Sequence, residues 1–292
     1  MEGQEKQMTD ISGKTKVCAL IGNPIEHTMS PAMHNAAFNE LGLDYVYVAF
    51  GVKPDNLAGA INGMKSLGMP GWNVTIPHKV NVIPLLDKLD PLAEKIGAVN
   101  TVVNDNGILT GHNTDATGFL QAMLEKGVEP KGKKIAIMGA GGAARAVSFI
   151  LADRGAYPVI LNRIEELDWA EKLAAMISKE FNIEVPAMEL TKGNLGSVLD
   201  DAEILVNATS VGMSPNINIS PAPAELLKAD LIVYDVVYNP IKTRLLKDAE
   251  AAGATTVGGI DMLVWQGIMA FEKWTGQKPP FDLMKSQAMK FL

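Results

Sequence analysis

Short apolar runs rich in β-branched residues recur along the chain, separated by longer stretches in which apolar residues fall three and four positions apart. The runs Lys16 to Gly22, Tyr45 to Phe50, Gly71 to Ile76, Ile135 to Gly139, Pro158 to Asn162, Ile204 to Ala208 and Leu231 to Val237 read as strands. Helical stretches between them imply βαβ crossovers and mainly parallel sheets. Ser30-Pro31 reads as an N-cap followed by a first-turn proline, and Gly42 closes a helix carrying Ala36, Phe38 and Leu41. The segment Leu57 to Leu67 repeats that logic up to Gly68. Between Val99 and Thr110 two β-rich runs flank Asp105-Asn-Gly107, an Asn-Gly hairpin turn and the one antiparallel feature that the pattern predicts. Helical spacing resumes after Asp115 through Phe119, Leu120, Met123 and Leu124 and ends near Gly127, so a helix carries the chain from a first domain to a second. Ser214 to Pro223, rich in Pro, Asn and Ser, reads as a mobile loop, and Met262 to Trp274 as an apolar helix packing back on the first domain.

Composition narrows the function classes. A chain of 292 residues more often splits into two cores than builds one. Its 47% apolar and 20% charged residues are those of an ordinary globular protein. A net charge of −7 disfavours attraction to nucleic acid or anionic lipid, so an anionic ligand must be captured by a local site. The single cysteine, Cys18, lies in an apolar run and reads as an inert buried thiol. The first ten residues are polar, and no stretch reaches the ~18 apolar residues of a spanning helix, so the expected location is the cytoplasm. His27, His34, His78 and His112 form no zinc motif, and no G-x-S-x-G elbow is present, so no metal and no serine hydrolase chemistry are expected.

Two features carry chemistry. Lys134-Ile-Ala-Ile-Met138 is a strand that runs into Gly139-Ala-Gly-Gly-Ala-Ala144, and Ala143 to Ala152 follows as a helix. In that context G-x-G-x-x-A is a dinucleotide fingerprint. Gly139 permits the tight turn, Gly141 lets the backbone approach a pyrophosphate, Ala144 allows close packing, and the helix start offers N–H groups to the anion. The next strand ends at Asn162-Arg163, where an acidic residue would favour NAD; Arg163 instead suits the 2′-phosphate of NADP. Glu165, Glu166 and Asp168 follow closely with no second Arg or Lys beside them, which leaves NAD open as well. The second feature is Lys79, at the end of Asn73-Val-Thr-Ile-Pro-His-Lys79, with Asp115 in Gly111-His-Asn-Thr-Asp115: a proton donor and a carboxylate upstream of a hydride-carrier loop.

The motifs Gly22-Asn-Pro-Ile-Glu-His-Thr28-Met-Ser30-Pro31, Asn73 to Lys79, Gly97-Ala-Val-Asn100-Thr101, Asn113-Thr-Asp115, Asn207-Ala-Thr-Ser-Val-Gly-Met213, Asp235-Val-Val-Tyr238-Asn-Pro240 and Gly259-Ile-Asp-Met-Leu-Val-Trp-Gln266 occur in this order. Together they resemble the shikimate dehydrogenase family over about residues 16 to 275. The resemblance implies reversible NADP- or NAD-linked reduction of 3-dehydroshikimate to shikimate on the way to aromatic amino acids. It also implies an α/β fold: a mainly parallel substrate domain in residues 1–115, a Rossmann-type domain in 116–259, and C-terminal helices in 260–292 returning to the first. Lys79 is implied as acid and base, with Asp115 as the group that orients it. Thr28, Ser30 and Tyr238 would hold the substrate carboxylate, and Thr75, Asn100, Asp115 and Gln266 the ring hydroxyls. The expected cofactor set is Gly139, Ala140, Gly141, Gly142, Ala143, Asn162, Arg163, Glu165, Val236 and Gly259.

Taken singly, Ser30 reads as a helix cap, Asp115 as another, and Lys79 as a solvated lysine; their joint occurrence reverses that weighting. Two positions depart from the usual family pattern: Thr28 replaces a serine and Ala116 a glycine. Arg163 with its acidic neighbours is also similar to the quinate/shikimate dehydrogenase branch, which accepts NAD and a saturated ring. The expected partners are therefore shikimate, 3-dehydroshikimate or quinate, with the chain a monomer or homodimer. The competing class is a non-catalytic sensor of such metabolites.

Overall fold

The computed structural model describes residues 11–292, and the polar first ten residues discussed above lie outside it. Its contacts divide the chain into two compact units: the residues up to Thr114 together with Gln266–Phe291, and Asp115–Trp265. Among the described residues each unit is built on a six-stranded sheet, and no helix is long and apolar enough to cross a membrane.

The first unit runs β1 (Lys16–Gly22), α1 (Ser30–Glu40), β2 (Tyr45–Gly51), α2 (Leu57–Ser66), β3 (Gly71–Val74), β4 (Lys88–Leu89), α3 (Pro91–Ile96), β5 (Thr101–Asp105) and β6 (Ile108–His112). Its sheet order is β2-β1-β3-β5-β6-β4. Strand β1 pairs in parallel with β2 and β3. The hairpin β5–β6 turns at Asn106 and Gly107, both at positive φ, as the Asn-Gly signal requires. Antiparallel pairing extends further than expected, because β3 also runs against β5. Strand β3 stops at Val74, two residues short of the expected Ile76: Thr75 N–H still bonds Ile21 O at 2.9 Å, but His78 N–H turns back onto Thr75 O at 2.9 Å. Ala19, Ile21, Leu57, Ile61, Trp72, Val74 and Val102 form one core of this unit. Each buried Val, Leu or Ile side chain among them contributes about 1.5–3 kcal/mol.

The second unit runs α4 (Thr114–Glu125, its first residue belonging to the first unit), β7 (Lys134–Met138), α5 (Gly142–Asp153), β8 (Tyr157–Asn162), α6 (Leu167–Phe181), β9 (Ala187–Glu189), α7 (Lys192–Leu199), β10 (Ile204–Asn207), β11 (Ile232–Asp235), α8 (Arg244–Ala251) and β12 (Thr255–Gly258). All its strands are parallel, in the order β12-β11-β10-β7-β8-β9. That is a doubly wound Rossmann-type sheet whose strand order reverses at β7/β10, the place where such sheets bind ligands. Strands β4, β9 and β12 were not expected from the pattern; two or three residues in β4 and β9 are too few to show a period. Strand β11 ends at Asp235 rather than Val237, because Val237 N–H bonds the Asp235 side chain at 3.0 Å instead of a neighbouring strand.

The chain closes with α9 (Gly259–Thr275) and α10 (Phe281–Met289). Helix α9 begins at Gly259, three residues before the expected Met262, and its Gln266–Thr275 part belongs to the first unit. There Trp274 Nε1 donates to Val102 O at 3.0 Å. A Cβ on Gly71 would collide with both of those atoms, so the glycine is what allows the indole to lie on the sheet.

Candidate functional site

In the first unit Asn100 and Gln266 are held by buried hydrogen bonds. Asn100 Oδ1 accepts from Thr114 N–H at 2.7 Å, and its Nδ2 donates to Thr114 Oγ1 at 2.9 Å and to Gln266 Oε1 at 3.4 Å. Asn73 supports it from below, with Nδ2 donating to Asn100 O at 3.2 Å and to Thr101 Oγ1 at 3.0 Å. Asn73 Oδ1 in turn accepts from Tyr47 OH at 2.6 Å. Burial keeps the Tyr47 phenol well above the ordinary tyrosine range, a shift that the neighbouring Ser30 hydroxyl opposes. The structure thus brings Asn100 and Gln266 onto one network through Asn73, Thr101, Thr114 and Tyr47, four residues to which the motifs gave no role. Asn73 lies in the same seven-residue motif as Lys79, so its signal was present; Tyr47 looked like any strand tyrosine.

Ser30 corrects the capping expectation. It is the first residue of α1, whose cap position is Met29 with no side-chain capping bond. Thr28 Oγ1 accepts from Ser30 N–H at 3.3 Å and donates to Ser30 Oγ at 3.3 Å, so the two hydroxyls sit together at the start of the helix. Thr75 and Lys79 lie in the irregular segment after β3, both partly exposed. That segment is fixed at its far end by Val99 N–H donating to Lys79 O at 2.8 Å and by the buried His78 ring, whose Nε2 lies 2.6 Å from Val52 O. Lys79 therefore leaves a backbone tied to the residue preceding Asn100.

In the second unit Asp115 sits buried in the first turn of α4, inside the helix rather than at its cap. Burial, then the nearby Asp115 carboxylate, raises the Tyr238 phenol above its usual pKa, which keeps it a neutral hydroxyl. The glycine loop lies at the end of β7, where Gly139 takes φ of +110° and donates to Leu161 O at 2.8 Å. Gly141 stands at the cap of α5 with no side-chain capping bond, and a Cβ there would meet nothing within 4 Å. Open space over uncapped N–H groups fits a diphosphate. Ala140, Gly142 and Ala143 continue that loop into α5. Arg145, in the first turn of α5, adds a partly buried cation that the glycine pattern did not include, its pKa lowered by desolvation.

Asn162 ends β8, and its Nδ2 donates to Glu166 O at 2.8 Å. Arg163 is exposed and paired with Glu166, whose carboxylate raises the guanidinium pKa. Glu165 is exposed beside them. Val236 follows β11, its N–H donating to Asn207 O at 3.0 Å, and Gly259 lies so close that a Cβ would collide with Val236 O. Under both stands Asp235, fully buried, accepting from Asn207 Nδ2 at 2.9 Å, Val237 N–H at 3.0 Å and Thr243 Oγ1 at 2.6 Å. Burial pushes its carboxyl up to about 6, against those three bonds. Among the described residues no group of three His, Cys, Asp or Glu side chains could hold a metal ion.

Comparison with known proteins gives a consistent picture. Residues 20–102 match the shikimate dehydrogenase substrate binding domain and residues 259–289 the shikimate 5'-dehydrogenase C-terminal domain. The chain is 50% identical over 285 residues to the shikimate dehydrogenase (NADP(+)) of Methanopyrus kandleri, covering 97% of this chain and 98% of that one. A shikimate dehydrogenase crystallised in complex with NADP+ is 45% identical, with a TM-score of 0.91 and 97% of each chain covered. Shikimate 5-dehydrogenase from Listeria monocytogenes, solved in complex with shikimate and NAD, is 44% identical, with a TM-score of 0.90 and coverage of 96% of this chain and 99% of that one.

Proposed function

The chain belongs to the shikimate dehydrogenase family, and on that premise we propose that it catalyses the reversible reduction of 3-dehydroshikimate to shikimate with NADPH or NADH, in the route to chorismate and the aromatic amino acids. The observation that carries this reading is likeness along nearly the whole length to enzymes of that activity. The Asn100–Gln266–Thr114 cluster and the open glycine loop support it from the geometry side.

In this reading the first unit binds substrate and the second binds the dinucleotide. When bound, the nicotinamide supplies the hydride and takes it back in reverse. Thr28, Ser30 and Tyr238 address the carboxylate with neutral hydroxyls, and the raised pKa of Tyr238 keeps it a donor. Thr75, Asn100, Asp115 and Gln266 address the ring hydroxyls, where an unpaired amide or carboxylate would be costly and so selects a polyol. As the carbonyl carbon gains hydride, the Lys79 ammonium passes a proton to the carbonyl oxygen and becomes a neutral amine, which is reprotonated from solvent. Asp115 orients Lys79 and the reacting hydroxyl.

The decisive assay mixes the protein with shikimate and NADP or NAD and follows nicotinamide absorbance. Reduction of the cofactor with shikimate is expected. No turnover with either shikimate or quinate would overturn the reading, and a higher kcat/KM for quinate than for shikimate would move the chain to the quinate/shikimate branch.

A further inference from the structure

The turn after β8 is built as well as charged. Asn162 Nδ2 donates to Glu166 O at 2.8 Å, and Glu166 N–H donates to Arg163 O at 3.1 Å. These two bonds hold the backbone of Glu166 over that of Arg163, and the side chains pair across the turn. Glu166 is the more sheltered partner, its side chain 25% exposed against 65% for Arg163. Along the chain that follows, Lys172 is paired with Asp168 at 2.8 Å and Glu165 adds a further carboxylate.

A 2′-phosphate carries close to two negative charges and takes its specificity from a bidentate guanidinium. Here it must displace a carboxylate already on Arg163 and stay close to the carboxylates that remain. A 2′-hydroxyl meets neither obstacle. We propose that Glu166 is a specificity-determining positioning residue: by occupying Arg163 it lowers the advantage of NADP over NAD and leaves the chain able to use both. This deepens the dehydrogenase reading, and it rests on that reading only for the identity of the cofactor.

Direct binding separates the two. Dissociation constants for NADPH and NADH are measured from nicotinamide fluorescence on the parent, Glu166→Gln, Arg163→Ala and the double variant. Glu166→Gln is expected to tighten NADPH about three- to fivefold and to change NADH less than about 1.5-fold, since exposed charge pairs carry modest energies. With Arg163→Ala already present, most of the gain from Glu166→Gln disappears, because the glutamate acts through that arginine. In steady state the same selectivity appears as a lower KM for NADP at similar kcat. An unchanged NADPH to NADH ratio in Glu166→Gln overturns the inference, as does equal weakening of both cofactors. Failure of the parent to turn over shikimate or quinate would sink the functional reading while leaving this binding ratio measurable.

Discussion

The two units each carry a buried polar cluster beside the residues assigned to chemistry, and the clusters differ in kind. In the first unit Tyr47, Asn73, Asn100, Thr101, Thr114 and Gln266 form a network of neutral groups. In the second a carboxylate, Asp235, stands at the centre of Asn207, Val237 and Thr243. A neutral network keeps its donors and acceptors at every ordinary pH, whereas a buried carboxylate pushed up to about 6 changes charge near neutrality. Of the two clusters, only the second therefore changes charge near neutrality, at Asp235 under the loops that follow β10 and β11.

The strongest test of this division separates chemistry from scaffold. Lys79→Ala is expected to lower kcat by about 10²–10⁴-fold with a smaller change in KM, the usual span for a positioned acid or base. A kcat within a few-fold of the parent would remove Lys79 from the reaction. Next in size, Asn73→Ala strands the Tyr47 hydroxyl and takes a donor from Thr101, all buried. It should destabilise the protein by about 2–4 kcal/mol in urea unfolding and raise KM for shikimate as Asn100 loses its support. An unfolding midpoint equal to the parent's would show that the network is decorative.

Strands β1, β7, β8, β10 and β11 and the hairpin at Asn106-Gly107 were legible because buried strands and Asn-Gly turns leave local signals. The glycine loop was legible for the same reason: Gly139 and Gly141 must stand between a strand and a helix. The β3–β5 pairing was not, since antiparallel neighbours distant in sequence leave no mark in either strand. Ser30 misled because the serine-proline pair looks like a cap, while the hydroxyl that receives its N–H belongs to Thr28. Asp235 and Asn73 stood in motifs already read, but a supporting role depends on partners 26 to 28 positions away, which no window along the chain displays. The Arg163–Glu166 pair was visible as composition; only the turn held by Asn162 showed the two to be joined.

The charged cluster predicts a pH effect that the neutral one lacks. A carboxyl has a pKa of roughly 3.9 in the unfolded chain, and burial raises that of Asp235 to about 6 in the fold. Folding therefore favours the protonated form. This contribution is fully present below pH ~3.9 and is lost as pH rises through the folded pKa, an effect of about 3 kcal/mol. Asp235→Asn keeps an acceptor for Val237 N–H and Asn207 Nδ2, turns the Thr243 bond round so that the amide donates to Oγ1, and cannot ionise. Its stability relative to the parent should improve by about 2–3 kcal/mol between pH 4 and 7.5, read from denaturant unfolding at several pH values. A difference independent of pH would show that Asp235 does not carry the titration.

Tyr47→Phe is the matching experiment on the neutral side and has the smallest expected effect. The ring stays, with its stacking against His34 at 4.3 Å between centroids, and one hydrogen bond to Asn73 Oδ1 is lost. Removing a single neutral bond while the acceptor remains buried costs about 1–2 kcal/mol. Because burial holds the phenol well above its ordinary range, the group stays protonated from pH 5 to 9 and the cost should be flat across that interval. A cost that grew toward alkaline pH would mean that the first unit's network contains a titrating group after all, and the contrast between the two clusters would fail on the side where it is sharpest.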